Sequence, residues 1–529
     1  MISIRTPWNN CGVLQKNMPN AIVRNILTSI FLVVLCFVIG VQSAESVKAS
    51  IGIIIALVGC VFLIWMGPRV WTLIYLLPPL IALLPLPGKL QEIPVIFLVS
   101  GVVLLYWILL WLMGYVRFKW RSLFIMDLLV LLMFIYMVIS YMRHPVSMAI
   151  LGYDAEYIGG KEYVWTIIAT LHYIAVSCIP CTYEQCRKVL NWGVKISVAG
   201  AILAVGLSLA GIRGGTDITE LGDAAANTRF GMFVQLGVYG IYCLYGLNPI
   251  MRVLTSPKLL FGCLLSLCGI VISGARETLM GNCFIIAALA IVKRELWCIT
   301  LLGLLVYGGL IYLSTEGVIK SFPHGIQRSL SVLPGIEIER DIQEEAQHSS
   351  DWRVVMWKWA LDKRTGYIRD YTWGDGFGQS VDYLRRETTA MMRGTSRYGD
   401  QEFFASTGVW HSGVITTIHR LGYVGLTLVS LIYLCGVFMM FRVCISLKGT
   451  PLYFPSIFFC MGFAGELPIY MISAGTLPYF FKDYMMLAFI KLFYCLGREQ
   501  GFIVPWQLRQ RYVPLAILEH EENVRYTKP

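Results

Sequence analysis

Charge is scarce in this chain. Of its 529 residues only 14% are Asp, Glu, Lys or Arg, against about 25% in an ordinary soluble domain. That shortage excludes a soluble fold of this length, whose surface needs charge on every side. Histidine is scarce too, with seven in the chain, so any one in a polar segment stands out. The N-terminus lacks a short apolar core followed by a small-residue cleavage site. Roughly 20 mainly polar residues, among them Arg5, Asn9 and Lys16, precede the first apolar run, which reads as an uncleaved first span and not a signal peptide. No internal repeat is visible, which weighs against a transporter built from inverted halves. The polar stretch from Thr315 to Trp410 holds no cysteine, so nothing in it requires an oxidising compartment.

Apolar residues are abundant: 57% of the chain is hydrophobic and its mean hydropathy is +0.66. They fall in long runs such as Ile26–Val41, Ile93–Met113, Leu123–Ile139 and Leu301–Leu313. About 20 mostly apolar residues span hydrocarbon as a helix, so the fold class is an all-α polytopic membrane protein. The net charge of +11 would point a soluble protein toward nucleic acid. Here the basic residues cluster briefly between apolar runs, which excludes a nucleic-acid partner and leaves membrane lipids as the surroundings. Most of the 15 cysteines, including Cys36, Cys60, Cys263 and Cys460, sit inside those runs as small hydrophobes. Cys178 and Cys181 read as reduced thiols at a membrane edge.

The punctuation gives about 14 expected spans, near 22–43, 50–66, 70–86, 93–114, 123–142, 163–180, 192–211, 230–247, 258–274, 278–292, 297–314, 421–441, 455–474 and 476–497. Four parts follow: helices 1–11 over 1–314, a large extracytoplasmic loop over 315–420 with surface helices, three C-terminal helices over 421–497, and a tail over 498–529. Short cytoplasmic loops carry excess Lys and Arg. With the N-terminus inside, the inner segments hold Arg69, Arg121, Arg187, Arg252, Lys293, Arg294, Lys448 and Arg498, while the short outer loops are poorer in them. Both termini are therefore expected in the cytoplasm. Inside the large loop, Ile342 to Leu361 shows a helical pattern bearing Trp352, Trp357 and Trp359. Such aromatics beside an apolar stripe predict a segment lying against the bilayer surface.

Candidate chemistry gathers at the outer face. His411 follows Trp410 and precedes a stretch to Arg420 that reads as a short amphipathic surface helix before the next span. A neutral imidazole there suits the abstraction of a proton from a sugar hydroxyl near neutrality, although an interfacial histidine also serves structural ends. Arg276 closes Ser273-Gly274-Ala275-Arg276 at the end of one span, and Arg229 opens another at the same face. Their guanidinium forks match phosphate oxygens and fit the diphosphate of a lipid carrier; ion pairing and snorkelling explain them equally well.

These residues resemble the O-antigen ligase and O-antigen polymerase superfamily of bacterial membrane glycosyltransferases. The likeness is carried by Ser273 to Arg276, by Arg353-Val-Val-Met-Trp357 with Ala360 and Gly374 to Gly378, and by His411 followed by Gly422 and Gly425. It covers about residues 190–445. Ser412 stands where that family usually has Asn, and Glu277 where it has a small residue. The resemblance implies a GT-C-like fold with a large outer loop before the last three spans. It also implies inverting, metal-independent transfer, without a cofactor, of a glycan from an undecaprenyl-diphosphate carrier to a hydroxyl of an acceptor glycan or lipid at the bacterial inner membrane. By position, His411 is then the general base and Arg276 the diphosphate binder, with Arg229 and Arg353 as supporting cations.

A metal-dependent reaction would want paired outer carboxylates, for which Asp400-Gln401-Glu402 is the nearby pattern and a solvated loop its simpler explanation. Glu466, inside an apolar run, is expected to be neutral, paired or facing a cavity, and His172 to be a satisfied interior histidine. The rival reading is a flippase or secondary transporter of lipid-linked sugars. Another is a non-catalytic assembly subunit.

Overall fold

A computed structural model describes residues 65–74, 95–112, 120–146, 157–178, 181–209, 231–272, 276–380, 408, 410–473 and 477–503. Apolar backbone in lipid has no water to satisfy it and must pair within its own segment, and the described residues accordingly hold fourteen α-helices. These are α1 (Val95–Leu112), α2 (Phe124–Arg143), α3 (Gly160–Cys178), α4 (Tyr183–Leu209), α5 (Gly231–Leu244), α6 (Ile250–Thr255) and α7 (Pro257–Ile272). There follow α8 (Arg276–Lys293), α9 (Leu296–Thr315), α10 (His324–Leu330), α11 (Arg340–Leu361), α12 (Gly413–Ser446), α13 (Tyr453–Pro468) and α14 (Leu477–Glu499). A two-residue antiparallel ladder pairs β1 (Tyr157–Ile158) with β2 (Gln379–Ser380). The expected spans from 93–114 onward coincide with helices; those at 22–43, 50–66 and 70–86, and the tail beyond 503, lie wholly or largely outside the described residues. Among the described residues, four helices are long and apolar enough to cross a membrane: α2, α9, α12, and α13 with the π-helical turn Ile469–Ser473 that extends it.

The helices have two distinguishable ends. At one, Arg121 pairs with Glu499 at 3.2 Å and donates to the Cys181 carbonyl at 3.0 Å. Lys293 there donates to the carbonyls of Tyr245 and Asn248, and Gly497 packs against Leu447. At the other end lie Arg143, Arg276, the segment 316–380 and the start of α12. Lys293, Arg121, Lys448 and Arg498, basic residues that the sequence assigned to one side, thus share one end. Buried Lys491 lies 2.5 Å from Asp127 and donates to Ser177 at 2.8 Å. It ties α14 to α2 and α3 with every charge compensated, as a buried cation requires.

Segment 316–380 forms a cap. Its α11 does not spend its aromatics on the bilayer surface, as the sequence pattern predicted. Met356 and Ala360, with Trp352, Trp357 and Trp359, pack on Trp410, Ile415 and Ile418 at the start of α12. The apolar stripe found a partner within the chain. A second apolar nucleus, Ile319, Leu330, Ile336, Ile338 and Ile342, joins α10 and the start of α11 to the end of α9.

Helix α12 is 34 residues long, about 50 Å at 1.5 Å per residue and more than the roughly 30 Å of hydrocarbon. Only its part beyond Gly422 is needed for the membrane. At Gly422 the backbone leaves helical geometry (φ 63°, ψ −172°), and the loop 371–376 completes the interrupted ladder. Asp375 and Gly376 donate their N–H groups to the carbonyls of His419 and Arg420 at 2.8 and 3.1 Å. Tyr423 and Val424 donate to Tyr371 and Thr372 at 2.7 and 3.2 Å. The Tyr136 hydroxyl is shared between the carbonyls of Trp373 and Leu421, at 2.8 and 2.5 Å. A Cβ on Gly422 would stand 2.2 Å from the Thr372 oxygen, so glycine is required by both its angle and its space.

Candidate functional site

Residues 413–421 are therefore not a surface amphipathic helix. From Ile415 to Leu421 every side chain is buried, because the cap covers one face and α13 with its π-helical turn the other. The turn begins at Ser412, whose hydroxyl accepts from Ile415 N at 3.5 Å as an N-cap and donates to the Met471 carbonyl at 3.0 Å. Tyr470, from the π-helical turn, places its hydroxyl 2.5 Å from Thr417 Oγ1 and donates to the Gly413 carbonyl at 3.1 Å. Proline within α13 and the wide turn after it, where hydrogen bonding shifts register, bring Tyr470 there.

His411 sits on this platform with φ of +49°, a left-handed backbone that costs a non-glycine residue roughly 1–2 kcal/mol. Its ring lies 5.1 Å from that of Trp352 on α11. Burial, and then the positive charge of Arg353, hold the imidazole below its ordinary pKa. The neutral, proton-accepting form is thereby favoured.

Arg276 opens α8 just outside the stretch read as its span. Its guanidinium donates to the Ala346 carbonyl at 3.0 Å and to Ser350 Oγ at 3.2 Å. Ala346, Ser350 and Arg353 are spaced i, i+4, i+7, along one face of α11. Arg353 consequently stands one turn beyond the Arg276 contacts and beside Trp352, and its charge bears on both Arg276 and His411. Arg328 of α10 adds a third guanidinium within reach of Arg276, and Glu345 is its counter-ion, 3.2 Å from Arg328 and 3.5 Å from His324. One helix, α11, thus gathers Arg276, Arg328, Arg353 and His411.

Arg229, Ser273 to Ala275, and Asp400 to Glu402 lie outside the described residues. Glu466 is paired, with Lys482 Nζ donating to it at 2.6 Å. His172 is met at Nδ1 by Ser100 Oγ at 2.7 Å. Sequence reasoning passed over Arg328, Asp375 and His419. His419 lies inside the His411–Arg420 stretch, and its neighbours are Trp410, which donates to its Nδ1 at 3.0 Å, and Asp375, 3.5 Å from its Nε2. An Asp between two glycines was the visible signal for such a turn.

No family model and no curated protein matches the sequence. What the site can do follows from its side chains. Three guanidiniums balanced by few carboxylates favour a multiply charged anion, and a neutral imidazole beside them can accept a proton from a hydroxyl.

Proposed function

We propose that the protein is an inverting, metal-independent glycosyltransferase of the polysaccharide polymerase or ligase type, multi-pass in the bacterial inner membrane with the cap on the outer side. Its donor is a glycan on an undecaprenyl-diphosphate carrier and its acceptor a hydroxyl of a glycan or lipid. The observation that carries this reading is the convergence of Arg276, Arg353 and His411 on α11. In the reaction His411 takes the proton of the acceptor hydroxyl as its oxygen attacks the anomeric carbon. The new C–O bond forms on the face opposite the leaving group, inverting the centre, and the diphosphate departs with the electron pair of the broken bond. Arg276 and Arg353, with Arg229 by sequence position, meet the charge that grows on it.

In lipid nanodiscs with a diphosphate-linked oligosaccharide donor, His411→Ala is expected to lower transfer about 10²- to 10⁴-fold. Arg276→Met is expected to raise the donor KM as well as lower kcat. A folded His411→Ala protein working at the wild-type rate would end this assignment.

One observation favours a carrier of lipid-linked sugars instead. Asp483 in α14 is fully buried, with Tyr433 donating to Oδ2 at 2.6 Å and Oδ1 unpartnered, close to the Glu466–Lys482 pair. Ionisable groups within spans often mark transport paths. Flux of labelled donor across sealed vesicles, without change in glycan length, would support that alternative.

A further inference from the structure

The left-handed turn at His411 needs something to hold it, and the structure supplies a chain of contacts that no step of the transfer uses. Trp410, immediately before it, is completely buried and gripped at its carbonyl and its indole N–H. Its carbonyl accepts from Trp357 Nε1 at 2.9 Å. Its own indole N–H donates to His419 Nδ1 at 3.0 Å. Because that nitrogen accepts, the His419 proton sits on Nε2 and faces Asp375, whose Oδ2 is 3.5 Å away. The Asp375 carboxylate is fixed in turn by the N–H groups of Arg369 and Asp370, at 2.9 and 2.8 Å. The backbone N–H of Asp375 also closes on the His419 carbonyl at 2.8 Å. Burial, and then the charges of Arg420 and Arg369, keep His419 itself neutral.

We propose that His419, oriented by Asp375, is a positioning residue for His411, acting through the Trp410 indole to hold the backbone turn that seats the His411 imidazole against Trp352 and within the field of Arg353. This rests on His411 being the base of glycan transfer. It differs from ordinary packing because the coupling runs along one named route, and a small misplacement of a reacting group costs up to about a hundredfold in rate.

The test combines kinetics with a probe that needs no turnover. His419→Leu removes the acceptor, Trp410→Phe removes the donor, and His419→Asn keeps an acceptor near the Nδ1 place. His411 protonation is followed through quenching of Trp352 fluorescence, taken as the component lost in Trp352→Phe. His419→Leu and Trp410→Phe are each expected to lower kcat about tenfold with the donor KM changed less than about twofold. The double variant should be no slower than either single, and both singles should move the titration seen through Trp352 up toward the ordinary imidazole value. His419→Asn should retain most of the rate and the wild-type titration. Losses that multiply in the double variant, or a titration unmoved in both singles, overturn the proposal. If His419→Leu fails to fold, Trp410→Phe carries the test, since it removes the indole N–H donor and leaves a smaller aromatic ring in the buried place. If the wild-type protein transfers no glycan, the transferase reading falls, while the Trp352 titration still decides whether His419 positions His411.

Discussion

At the scale of single residues, the behaviour of His411 is governed by where it is buried and by which charge it faces. Both burial and Arg353 disfavour the imidazolium, so its pKa in the folded protein lies below the ordinary value of about 6.5. A base is active when neutral. With His411 as the proposed base, the rate is complete above that lowered pKa and is lost as pH falls through it, which places the acid limb of the kcat/KM profile, the one set by the free protein, below about 6.5. Replacing Arg353 with Met removes one of the two causes. The acid limb is expected to move upward, part of the way to 6.5, with burial accounting for the remainder. An unmoved limb in Arg353→Met would separate Arg353 from His411. The chemistry of these residues was legible in the sequence because guanidinium and imidazole carry their properties with them. The role of Trp410 was not: its indole meets a histidine nine positions on, and that meeting depends on a turn whose partners come from the loop before residue 380.

At the scale of elements, α12 is two helices joined at a glycine, and the join is closed by backbone from the cap. Gly422→Ala would force a Cβ against the Thr372 oxygen and hold alanine at a positive φ, a strain of about 1–3 kcal/mol before any clash is counted. The variant is expected to unfold at a lower temperature in detergent, and to lose transfer by displacing His419 and the turn above it. Equal melting and activity in Gly422→Ala would show that the loop 371–376 does not complete the ladder. Helix positions were readable from apolar periodicity because a bilayer leaves the backbone no alternative. The fate of the α11 stripe was not, since tryptophans at a membrane surface and tryptophans on an internal partner leave the same pattern along the chain.

At the scale of the whole molecule, the basic residues Arg121, Lys293, Lys448 and Arg498 at one end and the cap at the other define a polarity. In the proposed topology the Lys- and Arg-rich end is the cytoplasmic one and the cap is outside. An epitope inserted in the exposed turn Lys363–Gly366 is expected to be reached by antibody on right-side-out vesicles, and one at Lys448–Gly449 only after permeabilisation. The reverse result would put His411 in the cytosol and remove the proposed donor from its reach. Lipid is also the natural cover for α9, where Trp297, Leu301, Leu304 and Leu305 are all largely exposed.

The splice at Gly422 limits how a substrate can arrive. Lifting the cap away from α12 would break four main-chain hydrogen bonds at once, two of them to carbonyls of the buried residues His419 and Arg420, where an empty acceptor costs about 1–3 kcal/mol. A hinged door is thus an expensive design at that seam. For the proposed long-tailed donor the cheaper approach is to glide in the plane of the leaflet on the cap side and present its headgroup from the flank, so that the tail never leaves oil and the roof never opens.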